Sequence, residues 1–202
     1  MKTVLAIAGS LRRGSYNRLL LQAARLHAPA GMIVQVYDEL SSIPLFDQDL
    51  ETARVAGSDS VERLRTAVGS ADGLLIATPE YNWSIPGVLK NAIDWLSRPK
   101  PFKVLEGKPI AIIGASSGRW GTRLAQGALR QVLSATESLV MPTPAMFVRD
   151  AAERFDTTGR LVDGTTQLEL QALLTGFARW IDIAGAEKKP AAGSLPRVRG
   201  LA

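Results

Sequence analysis

Cysteine is absent from the 202-residue chain, and His27 is its one histidine. The absence of cysteine excludes disulfides, thiolate metal sites and cysteine nucleophiles. A single histidine disfavours a polyhistidine metal site and a Ser-His-Asp centre. Aromatic residues make up 6% of the chain, few for a protein that binds single-stranded nucleic acid by stacking bases. Composition therefore removes most hydrolytic and metal chemistry, and a bound cofactor is the expected carrier of any reaction.

Long apolar runs are absent as well. The first apolar run, residues 4–8, is shorter than the ~7–15 residues of a signal-peptide core. None of the other runs reaches the ~18 residues that a membrane-spanning helix requires. We therefore expect a cytoplasmic protein that does not associate with a membrane.

Basic residues exceed acidic ones, with 24 Lys and Arg against 19 Asp and Glu. Much of the excess lies in residues 186–202, which hold four basic residues and one acidic residue. This tail is rich in Pro, Gly and Ala and has no apolar period, so it is predicted to be disordered, with contact to an anion or a membrane as the alternative. Residues 1–185 form the predicted domain, and their small net charge indicates no nucleic-acid partner.

Strand-like and helix-like segments alternate along the sequence. Continuous aliphatic runs predict buried strands at residues 3–8, 32–37, 73–78, 109–115 and 138–141. Apolar residues at helical spacing predict helices at residues 15–26, 60–68, 86–96, 122–133 and 166–183. Residues 41–57 show no period and are predicted to form a long loop. The alternation predicts an α/β fold, a doubly wound five-stranded parallel sheet in the flavodoxin-like order 2-1-3-4-5.

In such sheets a ligand binds beyond the carboxyl ends of the strands, near the switch point between strands one and three. The loop at residues 9–17 combines glycines, hydroxyls and arginines just before a helix, a pattern that suits an anion. Ser15 stands where a Walker loop needs Lys, and Leu11 stands where a dinucleotide fingerprint needs Gly. The loop therefore predicts a monophosphate site, with solvated arginines at a capped helix as the alternative.

Two further loops follow the third and fourth predicted strands. Residues 79–87 hold two prolines, two aromatic residues and an amide, which suits a flat heterocycle that needs an apolar face and a rigid polar edge. Local packing of Tyr81 and Trp83 is the alternative. Residues 115–121 are small and polar, so the backbone can approach a ligand closely, although this loop alone is a weak signal. Trp95, in the helix after the second loop, is interpreted as a core residue.

Two stretches make the sequence recognisable, Gly-Ser-Leu-Arg at residues 9–12 and Pro-Glu-Tyr-Asn at residues 79–82 with the helix that follows. They closely resemble the NAD(P)H-dependent FMN reductase family, which includes quinone, azo-dye and chromate reductases. The resemblance implies an oxidoreductase that takes hydride from NADPH or NADH onto bound FMN. Electrons then pass to a small-molecule acceptor: a quinone, a flavin, an azo compound or chromate. Because the flavin carries the chemistry, we expect no catalytic side chain, no metal and no role for His27.

The resemblance also implies roles for individual residues. The FMN phosphate would be held by Ser10, Arg12, Ser15, Tyr16 and Asn17. The isoalloxazine ring would be lined by Pro79, Glu80, Tyr81 and Asn82, and its pyrimidine side would meet Ser116, Ser117 and Gly118. Family members often have Gly, Tyr or His in place of Trp83, which is expected beside the cofactor as one side of the substrate cleft. Glu80 is expected to make a structural hydrogen bond rather than to transfer a proton.

The family resemblance further implies homodimers or homotetramers. Trp95 and Leu96, beside the second loop, are the candidate interaction surface. Two other functions stay open: a flavodoxin-like electron carrier, although such carriers are usually acidic, and a non-redox phosphate-binding regulatory domain. A phosphate-binding regulatory domain would not explain the prolines and aromatic residues at residues 79–87. The colour of the purified protein and its consumption of NADPH separate these functions.

Overall fold

The computed structural model describes residues 1–53, 58–99 and 103–187. Most of the tail that was predicted to be disordered lies outside the described residues. Its first two residues, Ala186 and Glu187, belong to the last helix, so this helix extends beyond the predicted domain boundary at residue 185.

Parallel strands form one sheet in the order β2-β1-β3-β4-β5, which confirms the predicted flavodoxin-like arrangement. The strands are β1 (Lys2–Ala8), β2 (Met32–Tyr37), β3 (Gly73–Ala77), β4 (Pro109–Ala115), β5 (Leu139–Val140) and β6 (Met146–Val148). Every residue of β3 and β4 is buried. Central strands of a parallel sheet are covered on both faces, and this is why their sequences are continuous apolar runs.

The fifth strand position is divided between two segments, which the sequence pattern did not predict. Residues 138–141 were expected to form one strand, but β5 has only two residues, paired with the beginning of β4. After Pro142 and Pro144, β6 pairs with the end of β4. Proline has no N–H to donate to a strand ladder, so these two residues separate the two pairing segments.

The described residues contain six α-helices: α1 (Tyr16–Leu26), α2 (Gln48–Ala53), α3 (Ser58–Ser70), α4 (Gly87–Leu96), α5 (Arg123–Ser134) and α6 (Gly164–Glu187). Short 3-10 turns occur at Leu40–Ser42 and Ala151–Glu153. The prediction of a loop over residues 41–57 is wrong for α2. This helix has six residues, too few to show an apolar period, but Asp49 and Glu51 suit the positive end of its dipole.

The sheet separates two hydrophobic clusters. One lies under α1 and α6 and includes Leu20 and Phe177, and the other lies under α3, α4 and α5 and includes Leu64, Leu89 and Leu129. Alternate residues of β1 point to the two clusters, as the two-residue period of a strand requires. The covered sheet leaves the loops at the ends of the strands as the places where a ligand can enter.

Trp95 is buried, with 5% of its surface exposed, which confirms its interpretation as a core residue. Its indole N–H donates to the Pro44 carbonyl oxygen at 2.9 Å, and the Phe46 ring packs edge-on against it. Leu96 is also buried, with 2% exposed. The suggestion that Trp95 and Leu96 form an interaction surface is therefore wrong, because both side chains are used by the core of their own chain.

Gly114, near the end of β4, allows α5 to start close to the sheet. A Cβ atom at this position would overlap the Thr122 hydroxyl and would lie 2.6 Å from the Thr78 carbonyl oxygen. We expect Gly114→Ala to lower the free energy of unfolding by about 1–3 kcal/mol, the usual effect of overpacking. Urea denaturation measures this change.

Gly127→Ala is the matched control, because nothing lies within 4 Å of a Cβ at this helical position. Alanine is favoured over glycine inside a helix by about 1 kcal/mol, so this variant should be more stable than the wild type. A Gly114→Ala variant as stable as the wild type would contradict the close approach of β4 and α5.

Candidate functional site

The three loops that the sequence singled out meet at one edge of the sheet. They follow β1, β3 and β4, which are hydrogen-bonded neighbours in the sheet. The Gly9 N–H donates to the Ala77 carbonyl oxygen at 2.8 Å, and the Thr78 N–H donates to the Ile113 carbonyl oxygen at 3.0 Å. At the tips, the Ser10 and Tyr81 hydroxyl oxygens lie 3.4 Å apart. The predicted convergence at the switch point is therefore present.

The first loop leads directly into α1 and presents the start of this helix. Ser15 is the N-cap residue, yet its hydroxyl makes no capping hydrogen bond. A capping serine normally accepts a hydrogen bond from the second or third N–H of the helix. Ser15 does not do so here, and these N–H groups are available to donate to a ligand. The Arg12 guanidinium lies over the Tyr16 ring, 5.8 Å from the ring centre, and adds a positive charge at the same end. Unpaired N–H groups with a nearby cation suit an anion.

Asn17 has a positioning role that the sequence did not reveal. Its buried side-chain amide donates to the Ala115 carbonyl oxygen and accepts from the Ala115 N–H, both at 2.9 Å. This pair of hydrogen bonds joins the start of α1 to the end of β4. The Asn17 side chain is thus directed at the sheet, and its main-chain N–H is the group left to face the first loop.

Tyr16 also packs within the protein. Its ring stacks on Phe155, with the ring centres 5.9 Å apart and the planes 24° from parallel. Phe155 lies in the segment between β6 and α6, so this stack connects the first loop to the carboxyl-terminal part of the chain. The Tyr16 side chain is partly buried, and its ring contacts both Phe155 and the Arg12 guanidinium.

The second loop contains a tight turn at residues 81–84. The Tyr81 N–H donates to the Ser84 carbonyl oxygen and the Ser84 N–H donates to that of Tyr81, both at 3.0 Å. Between them, Asn82 and Trp83 have φ angles of 49° and 64°. Two successive left-handed residues follow the type I′ turn pattern, a backbone conformation that residues other than glycine adopt at a cost in free energy. The turn holds Trp83 in solvent, 79% exposed.

Glu80 connects the second loop to α5. One carboxylate oxygen accepts from the Leu124 N–H at 2.9 Å and from the Ala125 N–H at 3.0 Å. Thr122, the N-cap residue, makes no side-chain capping bond, so Glu80 satisfies this helix start from a distant loop. A negative charge is favourable at the positive end of the helix dipole. This is the structural hydrogen bond that was expected of Glu80.

The third loop is fixed at its start and exposed at its tip. The Ser116 N–H donates to the Val148 carbonyl oxygen at 2.9 Å, and its hydroxyl accepts from the Gly118 N–H at 3.0 Å. Ser117 and Gly118 are exposed, so their main-chain groups are accessible at the edge of the sheet. Gly121 has a φ of 65°, and its backbone packs closely against Phe147.

Other polar groups lie away from this edge. His27 follows the last residue of α1, and the 11 residues of that helix place it about 16 Å from the helix start. Its Nδ1 atom lies 3.1 Å from the Gln171 amide nitrogen. In the described parts of the chain, no three His, Asp or Glu side chains group as a metal site would require. No helix in those parts is long and apolar enough to cross a membrane.

Residues 2–153 match the family of NADPH-dependent FMN reductases. The chain belongs to this family. The reductase is 45% identical over 178 residues to an NAD(P)H-dependent FMN reductase of Pseudomonas aeruginosa, with 88% of this chain and 94% of the relative covered. It is 40% identical over 181 residues to a 2-hydroxy-1,4-benzoquinone reductase of a Burkholderia species, with 88% and 95% covered.

A solved structure supports the same assignment. FerB, a flavoenzyme NAD(P)H:(acceptor) oxidoreductase from Paracoccus denitrificans, superposes with a TM-score of 0.82 at 34% identity, covering 91% of this chain and 99% of FerB. The predicted flavodoxin-like fold, enzyme class, FMN cofactor and NAD(P)H co-substrate are confirmed by these matches. The family favours neither a simple electron carrier nor a non-redox regulatory domain.

The residues of the reductase fit FMN at this edge. The N–H groups at the start of α1, the Ser15 hydroxyl that caps nothing and the charge of Arg12 could hold a phosphate. The rigid turn at residues 81–84 could lie along a flat ring. Both features occur within one set of contacting loops, as a cofactor with a phosphate at one end and a ring at the other requires.

Replacement of Glu80 tests whether it caps α5 or transfers a proton. Glu80→Ala removes both hydrogen bonds to α5, and we expect the free energy of unfolding to fall by about 0.5–2 kcal/mol, the range for a lost cap. Glu80→Gln keeps an accepting oxygen and should lose less. A carboxylate that only caps α5 has no acid-base task, so we expect Glu80→Gln to keep the wild-type kcat for NADPH oxidation. A large loss of kcat at unchanged stability would contradict this assignment.

Proposed function

We propose that the reductase is an NAD(P)H:quinone oxidoreductase whose FMN is bound between residues 10–17, 79–83 and 116–118. The observation that supports this most is the contact of these three loops at the start of α1. Bound FMN supplies the redox chemistry, since it accepts hydride from NADPH or NADH and returns two electrons to an acceptor. The protein supplies position, exclusion of water and a path for the acceptor.

The phosphate end of FMN is assigned to the first loop. Arg12 contributes charge, Ser10 and Ser15 contribute hydroxyls, and Tyr16 and Asn17 contribute main-chain N–H groups at the start of α1. Charge-assisted hydrogen bonds of this kind are about twice as strong as neutral ones. The Asn17 side chain supports the loop through Ala115. Because this side chain is paired with Ala115, we assign the phosphate contact of Asn17 to its main-chain N–H.

The ring end is assigned to the second and third loops. Pro79, Tyr81 and Asn82 would lie along the ring, and Glu80 holds this loop against α5. The pyrimidine side is assigned to a short run of small residues: Ser116, Ser117 and Gly118. Main-chain groups in a fixed loop lose little conformational entropy when they bind, which favours a tightly held cofactor.

A quinone is the acceptor that the site supports best. Tyr81 and Trp83 stand in solvent on a rigid turn, and flat acceptors stack on such rings. The Burkholderia relative is named for reduction of a benzoquinone. Free flavin, azo compounds and chromate remain acceptors of the same chemistry, because an open flavin face can transfer electrons to each of them.

We also propose a cytoplasmic homodimer or homotetramer. Leu124, which is 55% exposed, lies near the second loop, because its N–H donates to Glu80 in that loop. Exposed apolar side chains in one region mark interaction surfaces. We propose this region as the interaction surface instead of Trp95 and Leu96, which are buried.

Arg12→Ala tests the phosphate site. Loss of a charged hydrogen bond should weaken FMN binding by about 1.5–3 kcal/mol. Titration of the apoprotein with FMN, followed by flavin fluorescence, measures the change. Arg25→Ala, in the last turn of α1, is the control and should bind FMN as the wild type does. An unchanged dissociation constant for Arg12→Ala would show that Arg12 only faces solvent.

Trp83→Gly tests the acceptor site. Loss of an aromatic stacking partner should raise KM for quinones by roughly three- to tenfold, while FMN affinity changes little. Thermal stability should not fall, because glycine adopts the φ of 64° seen at Trp83 without strain. Trp83→Tyr keeps an aromatic ring and should restore quinone KM. Unchanged quinone kinetics together with weakened self-association, measured by light scattering, would assign Trp83 to a subunit interface instead.

A further inference from the structure

A cavity of about 510 Å³ lies at the end of the third loop, beyond Ser116, Ser117 and Gly118, the residues assigned to the pyrimidine side of FMN. It is open to solvent on one side and is lined by the β4–α5 loop, the first residue of α5, β6 with its flanks, and α6. The side chains that give it its character are Arg119, Trp120, Arg123, Phe147, Arg149 and Glu169. Its volume is within the roughly 300–1,000 Å³ range of small-molecule sites.

Positive charge dominates this cavity, since three arginines face one carboxylate. Within the described residues, none of the ion pairs involves Arg119, Arg123 or Arg149. Arginines that surround a concave surface without carboxylate partners are suited to a bound anion.

Aromatic rings hold two of these arginines in place. The Arg119 guanidinium carbon lies 4.8 Å from the centre of the Trp120 ring, and that of Arg123 lies 4.3 Å from the centre of the Phe147 ring. Stacking on a ring orients a planar guanidinium without using its N–H donors. The donors of Arg119 and Arg123 therefore remain available to acceptor oxygens of a ligand.

The cavity is close to the edge assigned to the flavin. Arg119 and Trp120 directly follow Gly118 in the same loop. Phe147 and Arg149 flank Val148, whose carbonyl oxygen accepts from the Ser116 N–H at 2.9 Å. A long co-substrate that reacts at the flavin could thus place a distant part in this cavity.

We propose that this cavity binds the 2′-phosphoadenosine part of NADPH and gives the reductase a preference for NADPH over NADH. The proposal rests on the proposed function, because it needs a pyridine nucleotide that reacts at the neighbouring flavin. Arg119, Arg123 and Arg149 would surround the 2′-phosphate, whose dianionic charge and three oxygens match several guanidiniums. Trp120 and Phe147 supply apolar surface for the adenine. NADH lacks the group that these arginines recognise.

Binding of 2′,5′-ADP to the FMN-loaded protein, measured by calorimetry, tests the proposal without turnover. Arg149→Met should weaken 2′,5′-ADP binding about tenfold, the effect of one lost charged hydrogen bond, and should leave 5′-AMP binding unchanged. Glu169→Gln should have the opposite effect and tighten 2′,5′-ADP binding, because it removes the carboxylate that repels the phosphate. Arg179→Met, an exposed arginine of α6 outside the cavity, is the control and should match the wild type.

Steady-state kinetics gives the second measurement. Arg149→Met should raise KM for NADPH about tenfold and leave kcat and KM for NADH unchanged. Equal loss with both nucleotides would place the shared diphosphate in the cavity and overturn the assignment to the 2′-phosphate. Unchanged 2′,5′-ADP affinity in Arg149→Met, with or without a change in oligomer mass, would overturn it as well.

The two proposals fail in different ways. A wild-type protein that binds FMN and oxidises NADPH and NADH with equal KM overturns the inference and leaves the proposed function intact. A protein that binds no FMN and oxidises neither nucleotide overturns the proposed function. In that case 2′,5′-ADP binding is measured on the FMN-free protein, and it still reports on the cavity because 2′,5′-ADP contains no redox group.

Discussion

The two hydrogen bonds between the Asn17 side chain and the Ala115 backbone hold together the parts of the molecule on which the site depends. They are buried and join the helix that follows β1 to the end of β4, across the strand that lies between. A buried polar group left without its partner costs about 1–3 kcal/mol, so neither element can move away alone. These bonds fix the start of α1, where the phosphate site is proposed, relative to the central strands of the sheet.

The other loops are joined to this anchor by equally specific contacts. Glu80 connects the second loop to the start of α5, and Gly114 lets that helix start lie against the end of β4. The Ser10 and Tyr81 hydroxyls connect the first two loops at their tips. Each loop is thus held by a polar contact at a defined atom, and the edge is ordered before any ligand binds. Such order reduces the entropy lost on binding, which matters for a cofactor held mainly by main-chain groups.

Periodicity in the sequence was enough to predict the sheet order, because buried parallel strands leave continuous aliphatic runs that no other element explains. The same logic located the three loops, since the switch point follows from strand order alone. What periodicity could not show was the partner of a side chain. The resemblance placed Asn17 at the phosphate site, but it gave no sign that the side-chain amide of Asn17 pairs with the Ala115 backbone. Leu96 was placed at a surface, although its apolar neighbours already indicated a helix face in the core.

Short-range backbone chemistry was the second thing that pattern analysis missed. Pro142 and Pro144 were visible in the sequence, and their missing N–H groups account for the division of the fifth strand. The left-handed conformation of Trp83 had no such signal, because a bulky residue is rarely found there. Its cost, about 1–2 kcal/mol for each such residue, must be offset by the rest of the fold. Trp83 is thus a strained aromatic residue held in solvent next to the three loops, and this is the observation behind its proposed role in acceptor binding.

Net charge conceals the electrostatic character of this edge. Residues 1–185 are close to neutral, yet the carboxyl ends of the strands meet Arg12 on one side and the cavity with Arg119, Arg123 and Arg149 on the other. The fold adds to this charge, because helices that follow parallel strands direct their positive ends to the same edge. Glu80 neutralises the start of α5, and the start of α1 keeps its donors. The field that an anionic cofactor and an anionic co-substrate would meet is therefore set by where the charges lie, and a balanced composition is compatible with strong attraction at one edge.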